Sequence, residues 1–238
     1  VSDVSGTTRD AIDSLVKYEG KEYILVDTAG IRKKSKVDWG IEKFAVDRSI
    51  RAIRNCDIAV LVIDAVEGIS DQDKKIASTI LEAGKGMILA INKWDLIEDK
   101  KSDTLNKYSK EVEQEMPFLS FVPKIFISAK TKQRLVNIYK LSDEVFEQCT
   151  KRVTTSILNR VIMDAVSMNP PVSIKGKRLK LFYATQVKVQ PPAFVLFINN
   201  EDLLKDNYLK YLENKLREAF GFKGTPIKIS AKEKGEKQ

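Results

Sequence analysis

The sequence predicts an α/β fold in two parts, a mostly parallel sheet covered by helices over residues 1–152 and then a smaller α+β module. Three observations predict it. Short β-branched runs alternate with segments of helical spacing, a repeating β-then-α order. The pattern resets at Lys151-Arg152-Val153-Thr154. The charge divides at the same place: residues 1–152 hold 26 Lys and Arg against 25 Asp and Glu, whereas residues 153–238 hold 15 against 8 and so carry +7 of the +8 total.

Residues 11–18 alternate in polarity and meet residues 22–27 through Glu19-Gly20-Lys21, which reads as an antiparallel hairpin. The runs Tyr23-Ile24-Leu25-Val26, 58–63, 87–91 and Ile125-Phe126-Ile127 are apolar and mostly free of charge, the pattern of parallel strands buried on both faces. Residues 41–55, 70–84, 104–115 and 133–150 mix apolar and charged positions at helical spacing and read as crossover helices.

Beyond the reset, Thr154 or Thr155 caps a helix that Asn169-Pro170-Pro171 stops. Strands follow at 179–189 and 194–198, separated by Gln190-Pro191-Pro192, then a helix at 202–220 and a strand at 226–230. The domains are therefore read as 1–152 and 153–231, with a basic, solvated tail at 232–238.

Composition excludes several classes. A chain of 238 residues suffices for two cores, and 43% hydrophobic with 31% charged residues is globular in character. No apolar run reaches the roughly 18 residues of a membrane span, and Val1-Ser2-Asp3-Val4 is unlike a secretory signal, which points to the cytoplasm. Cys56 and Cys149 show no pairing pattern. The absence of histidine removes imidazole base and imidazole metal chemistry, leaving carboxylates, hydroxyls, backbone and bound metal. The basic second part points to a polyanionic partner, with solubility as the alternative reason.

The strongest motif is Asn92-Lys93-Trp94-Asp95, at the end of a predicted parallel strand, where open α/β sheets bind ligands. Guanine offers two adjacent donors, and the two oxygens of Asp95 accept both at once; adenine lacks that pair. Asn92 holds the neighbouring loop and the base edge, and the Lys93 stem lies on the base face. Asp27-Thr28-Ala29-Gly30 also ends a strand, placing Asp27 to hold a hydrated Mg²⁺ and Gly30 to offer its N–H to a γ-phosphate. Ser128-Ala129-Lys130 follows the strand at 125–127 and offers backbone N–H groups to the guanine carbonyl. Gly6-Thr7-Thr8-Arg9-Asp10 is a loop whose hydroxyls join a Mg²⁺ shell only when a γ-phosphate orders it, which makes a switch.

These stretches, with Val4-Ser5 ahead of the loop and Ile31-Arg32 after Gly30, resemble the second to fifth G-motifs of the bacterial EngA (Der) GTPases. The resemblance continues through Asn169-Pro170-Pro171, Gly176-Lys177-Arg178-Leu179-Lys180, Tyr183-Ala184-Thr185-Gln186 and 220–226, and so covers essentially the whole chain. It implies the second of two GTPase domains plus a C-terminal KH-like domain, preceded in the family by an N-terminal GTPase domain, and a role in assembly of the large ribosomal subunit. It implies that Thr8 and Asp27 serve Mg²⁺, Gly30 the γ-phosphate, and Asn92 and Asp95 the base of GTP or GDP, with Thr28, Ala29, Ile31, Lys93, Trp94, Ser128, Ala129 and Lys130 completing the site. Ile31 stands where many regulatory GTPases have a water-orienting glutamine, so hydrolysis is expected to be slow and helped by another element, such as K⁺.

No G-x-x-x-x-G-K-[ST] occurs, so the phosphate loop and the strand before it are expected to be missing. That leaves a slot in the sheet between the runs at 23–27 and 58–63, marks the chain as a fragment, and predicts weak GTP binding by these residues alone. A nucleotide-independent RNA-binding scaffold is the competing class. A tRNA-modification GTPase, which shares the Gly-Thr-Thr-Arg-Asp loop, is a third reading, disfavoured because that type ends in a cysteine-bearing motif.

Arg32-Lys33-Lys34-Ser35-Lys36 is a basic second switch or a merely solvated loop. Gly221-Phe222-Lys223-Gly224 fits the G-x-x-G of RNA-clamping KH domains, but it directly follows a long helix and reads better as a helix stop plus a turn. RNA contact is therefore assigned to Lys175, Lys177, Arg178, Lys180 and Lys188. Trp39 and Trp94 read as packed beside their loops.

Overall fold

The computed structural model describes residues 13–27, 49–97, 103–174 and 176–234. The loop at 6–10 with Thr8, the run 28–36 with Thr28, Ala29, Gly30 and Ile31, and also Trp39 and Lys175, lie outside them. The chain divides into two compact units, residues 1–143 and 144–238.

In the first unit, β1 (Asp13–Tyr18) and β2 (Lys21–Val26) form the expected antiparallel hairpin. Its two-residue turn places Glu19 and Gly20 at φ 48° and 78°, the left-handed pair that matches strand twist. The hairpin is anchored through the Asp143 carboxylate, which takes a hydrogen bond from the Tyr23 hydroxyl at 3.0 Å and an ion pair from Lys21. Tyr139 packs its ring on Tyr18 and Tyr23.

A second, parallel ladder contains β3 (Ile58–Asp64), β4 (Gly86–Asn92) and β5 (Lys124–Phe126), with β4 in the middle. Helical residues 49–55 precede it, and α1 (Asp71–Glu82) and α2 (Thr104–Glu115) provide crossovers. Ser70 and Asp73 close a capping box on α1, each side chain bonded to the other's backbone N–H. Leu61, Ile63, Met87, Leu89 and Ile91 lie on one sheet face and bury against Ala77, Ile80, Val112 and Met116.

Two strand expectations need correction. The run at 23–26 is not buried on both faces: Ile24 is 68% exposed, and Leu25 and Val26 are exposed too. β3 buries only one face, leaving Val60 and Val62 open. Among the described residues β2 is bonded only to β1 and β3 only to β4, so neither shows there the second neighbour of a central strand. Only β4, flanked on both edges, is buried from Gly86 to Ile91.

The second unit contains the end of α3 (Asn137–Thr150), then α4 (Thr155–Met168), β6 (Leu181–Val189), β7 (Pro192–Ile198), α5 (Asp206–Phe220) and β8 (Lys228–Glu233). This is the α, β, β, α, β order expected. β7 is central, antiparallel to β6 and parallel to β8. Both helices cover one sheet face, with Leu158, Ile162, Leu212 and Leu216 packed on Ala184, Phe194, Leu196 and Ile198.

Polar side chains fasten these layers. The Asn159 amide makes both hydrogen bonds to the Ala184 backbone, at 2.7 and 2.9 Å. Buried Gln186 accepts the Val153 N–H at 2.7 Å and donates to the Lys151 and Lys188 carbonyls. The Tyr211 and Tyr208 hydroxyls donate to the carbonyls of Ala165 and Asn169 at the end of α4, the first of which also accepts the Asn169 N–H.

Gly221-Phe222-Lys223-Gly224 is built as a helix stop. Gly221 ends α5 at φ 89°, and the following Phe222 is fully buried with its ring edge-on to Phe194. Gln148 accepts the Phe222 N–H at 2.9 Å, and Arg217 donates to the Phe222 and Thr225 carbonyls. Phe222 and the bonds from Gln148 and Arg217 tie the turn to its own core.

Candidate functional site

The ends of β3, β4 and β5 converge because parallel strands finish on the same side of a sheet. They are cross-laced by backbone bonds: Ala65 N–H to the Asn92 carbonyl at 2.8 Å, Ile127 N–H to Ile91 at 2.8 Å, and Trp94 N–H to Ile127 at 3.0 Å. Asn92-Lys93-Trp94-Asp95 and Ser128-Ala129-Lys130, separated in sequence, are thereby brought together.

Asn92 completes the lacing, its Oδ1 accepting the Ala129 N–H at 2.9 Å. Ser128 is fully buried, donates its N–H to the Gln133 carbonyl, and accepts the Thr131 N–H on its hydroxyl. The Ser128 and Ala129 N–H groups, expected to face a base carbonyl, are thus engaged within the protein. Ala129 and Lys130 are exposed at the rim.

Lys93 takes the left-handed conformation, φ 61°, and starts a 3₁₀ turn over Trp94–Leu96 that carries Asp95. The Trp94 indole points the other way. It is buried against Phe126 and edge-on to Tyr108, so it fastens the turn to the core and offers no open face to a ligand, contrary to its place among the expected nucleotide contacts. Asp95 is half-buried.

One residue of this site escaped the sequence reading. Asp64 closes β3 opposite Asn92, is buried, and binds the Lys93 ammonium at 2.6 Å. The Val66 and Glu67 N–H groups donate to its other oxygen. That ion pair holds the Lys93 ammonium at the end of β3. The signal was an acid closing an apolar run beside the strongest motif, which reads equally well as a surface cap.

Burial alone raises the Asp64 carboxyl, but the Lys93 ammonium and the two backbone donors outweigh it and hold the group below its ordinary value. A carboxyl depressed on folding contributes stability above its unfolded value of about 3.9, and that contribution disappears as pH falls through the lower folded value. Asp64→Asn is therefore expected to lower the melting temperature at neutral pH and to flatten its fall below about pH 4. Identical acid limbs in the two proteins, recorded by circular dichroism, would refute the pairing.

Asp27 stands exposed just after β2, in a different ladder from Asn92. Lys177, Arg178, Lys180 and Lys188 are all exposed in the second unit. Lys177 sits in a tight turn, bonded both ways to Ile174, and Asn199 binds the backbone of Arg178 and Lys180. Lys188 is not brought to them: it lies at the far end of β6, about 25 Å along an extended strand. Among the described residues no helix is long and apolar enough to cross a membrane.

Residues 1–93 match the family described as "50S ribosome-binding GTPase", and residues 152–232 match "KH-domain-like of EngA bacterial GTPase enzymes, C-terminal". The chain is 49% identical over 238 residues to "GTPase Der" of Lachnospira eligens, covering 100% of this chain and 54% of that protein. It is 49% identical over 234 residues to "GTPase Der" of Fusobacterium nucleatum, covering 98% and 53%. The chain thus spans about half the length of the curated relatives it matches. Among solved structures it is similar in fold to Era, crystallised with MgGDPNP and nucleotides 1506–1542 of 16S ribosomal RNA, at TM-score 0.52 and 18% identity over 99% of this chain and 85% of that one.

Proposed function

The chain belongs to the EngA (Der) family of bacterial GTPases, and from that premise we propose that its full-length protein binds GTP, hydrolyses it to GDP and phosphate, and uses the nucleotide state to time assembly of the large ribosomal subunit in the cytoplasm. One observation carries the nucleotide assignment. Asn92, on the strand that leads to Asp95, is hydrogen-bonded to Ala129, so the base-reading carboxylate and the Ser128-Ala129-Lys130 rim belong to one rigid assembly.

In this reading Asp95 takes the two guanine donors, Asn92 braces the rim, and the Lys93 stem, steered by Asp64, covers one base face. Asp27 is the kind of exposed carboxylate that Mg²⁺ takes, and Thr8 supplies a hydroxyl; bound there, the ion neutralises phosphate charge. Gly30, flanked by Thr28, Ala29 and Ile31, gives a backbone donor to the γ-phosphate. Ile31 cannot orient a water, so turnover relies on a further element, with K⁺ as the first candidate. The second unit contacts ribosomal RNA through the exposed cations Lys177, Arg178 and Lys180, with Lys175 beside them in sequence.

The test is a titration of the full-length protein with fluorescent GTP and ATP analogues, together with sedimentation of ribosomes from cells depleted of it. Tight GTP binding, little ATP binding and accumulation of incomplete large subunits are expected. Equal affinity for both nucleotides would overturn the guanine reading. Normal large subunits after depletion would leave a GTPase with another use, and RNA binding without nucleotide binding would favour the scaffold.

A further inference from the structure

The three-stranded sheet of the second unit has one face covered by α4 and α5 and one face open. Register assigns the open face residue by residue. Phe194, Leu196 and Ile198 of β7 are buried, so Ala193, Val195 and Phe197 point outward. Their cross-strand partners form three rows: Lys188, Ala193 and Lys228; Thr185, Val195 and Ser230; Tyr183, Phe197 and Lys232. The Tyr183 and Phe197 rings stack at 4.2 Å and 15°, and Tyr183 remains 38% exposed. Lys234, one alternation beyond Lys232, holds its ammonium 5.4 and 5.6 Å from the Phe182 and Tyr183 ring centres.

This face therefore has an aromatic pair at one end and lysines at both ends, about 13 Å apart along β7. Its charge is of one sign. Glu233 is the only acid in the three strands; it pairs with buried Ile198, and so has the opposite parity, and its carboxylate accepts the Glu201 N–H at 3.0 Å. An open sheet bearing aromatic rings among cations suits a strand of unpaired nucleotides, whose bases lie against rings while phosphates meet ammonium groups. A protein partner would have no acid here to answer and four lysines to desolvate.

We propose that the open face of β6, β7 and β8, centred on Tyr183 and Phe197, binds single-stranded RNA through base stacking and lysine–phosphate contacts. The site rests on the reading that this unit contacts RNA; the Lys177–Lys180 turn adjoins its aromatic end at the start of β6, but the rows of the sheet face are made by other residues, and Gly221-Phe222-Lys223-Gly224 is no part of it. Lys188, remote from the other predicted cations, finds its place here.

The experiment is fluorescence anisotropy of the 238-residue chain with a labelled twelve-nucleotide single-stranded RNA over a range of salt. Lys228→Glu with Lys232→Glu is expected to weaken binding at least tenfold and to reduce the salt slope by about 1.4, at roughly 0.7 per phosphate contact in single strands. Tyr183→Ser is expected to weaken binding about tenfold with the salt slope unchanged. Lys210→Glu, on α5, is the control, and thermal melts show that each variant folds. Unchanged binding in the sheet variants, with loss in Arg178→Glu and Lys180→Glu, overturns this site and keeps the RNA reading. No RNA binding by the parent chain overturns both, and a duplex bound as well as the single strand overturns the stacking role.

Discussion

Asp95→Asn in the full-length protein is expected to lower GTP affinity on the order of a thousandfold and to shift preference to xanthosine triphosphate. Each hydrogen bond to a charged acceptor is worth roughly 1.5–3 kcal/mol, and the carboxylate accepts two. An amide keeps one acceptor and turns the other oxygen into a donor, which faces the guanine amine donor to donor. Xanthine carries a carbonyl in place of that amine and matches the amide. Because Trp94 anchors the turn below, the exchange leaves the backbone in place, and competition against a fluorescent guanine nucleotide reads the preference directly. A variant that binds xanthosine triphosphate no better than GTP removes Asp95 from base recognition.

Phe222→Ala is expected to destabilise the second unit by about 3–5 kcal/mol, as loss of a buried aromatic ring does. The ring packs against Phe194 and Phe220, and its backbone carries bonds from Gln148 and Arg217. Lys223→Ala, one residue on and exposed, is expected to change stability by less than about 0.5 kcal/mol. Urea unfolding followed by circular dichroism compares the two. If Gly221-Phe222-Lys223-Gly224 were an RNA clamp, the order would reverse: Lys223→Ala would lose RNA and Phe222→Ala would keep its midpoint.

The parts of this molecule that depend on local sequence were legible in advance. Residues 104–115 were read as a helix with the bounds observed, and the hairpin turn was read at Glu19-Gly20-Lys21, of which Glu19 and Gly20 form it and Lys21 begins β2. Convergence of Asn92 with Ser128 was legible too, because two apolar runs ending in polar motifs must finish on one side of a parallel sheet. Burial of β2 and β3 was not, since the same apolar letters are written whether or not a neighbouring strand is bonded. Trp94 was read both as packed beside its loop and among the nucleotide contacts, and its ring is buried. Asp64 and Gln148 act on residues far away in sequence, and no spacing rule announces such partners. The stacked Tyr183 and Phe197 appear only once register is known.

The lacing of Asn92 to Ala129 and of Trp94 to Ile127 has a kinetic consequence. On the proposed reading, a base arriving at these strand ends meets a seat already assembled, so little ordering entropy is lost there and no rearrangement need precede binding.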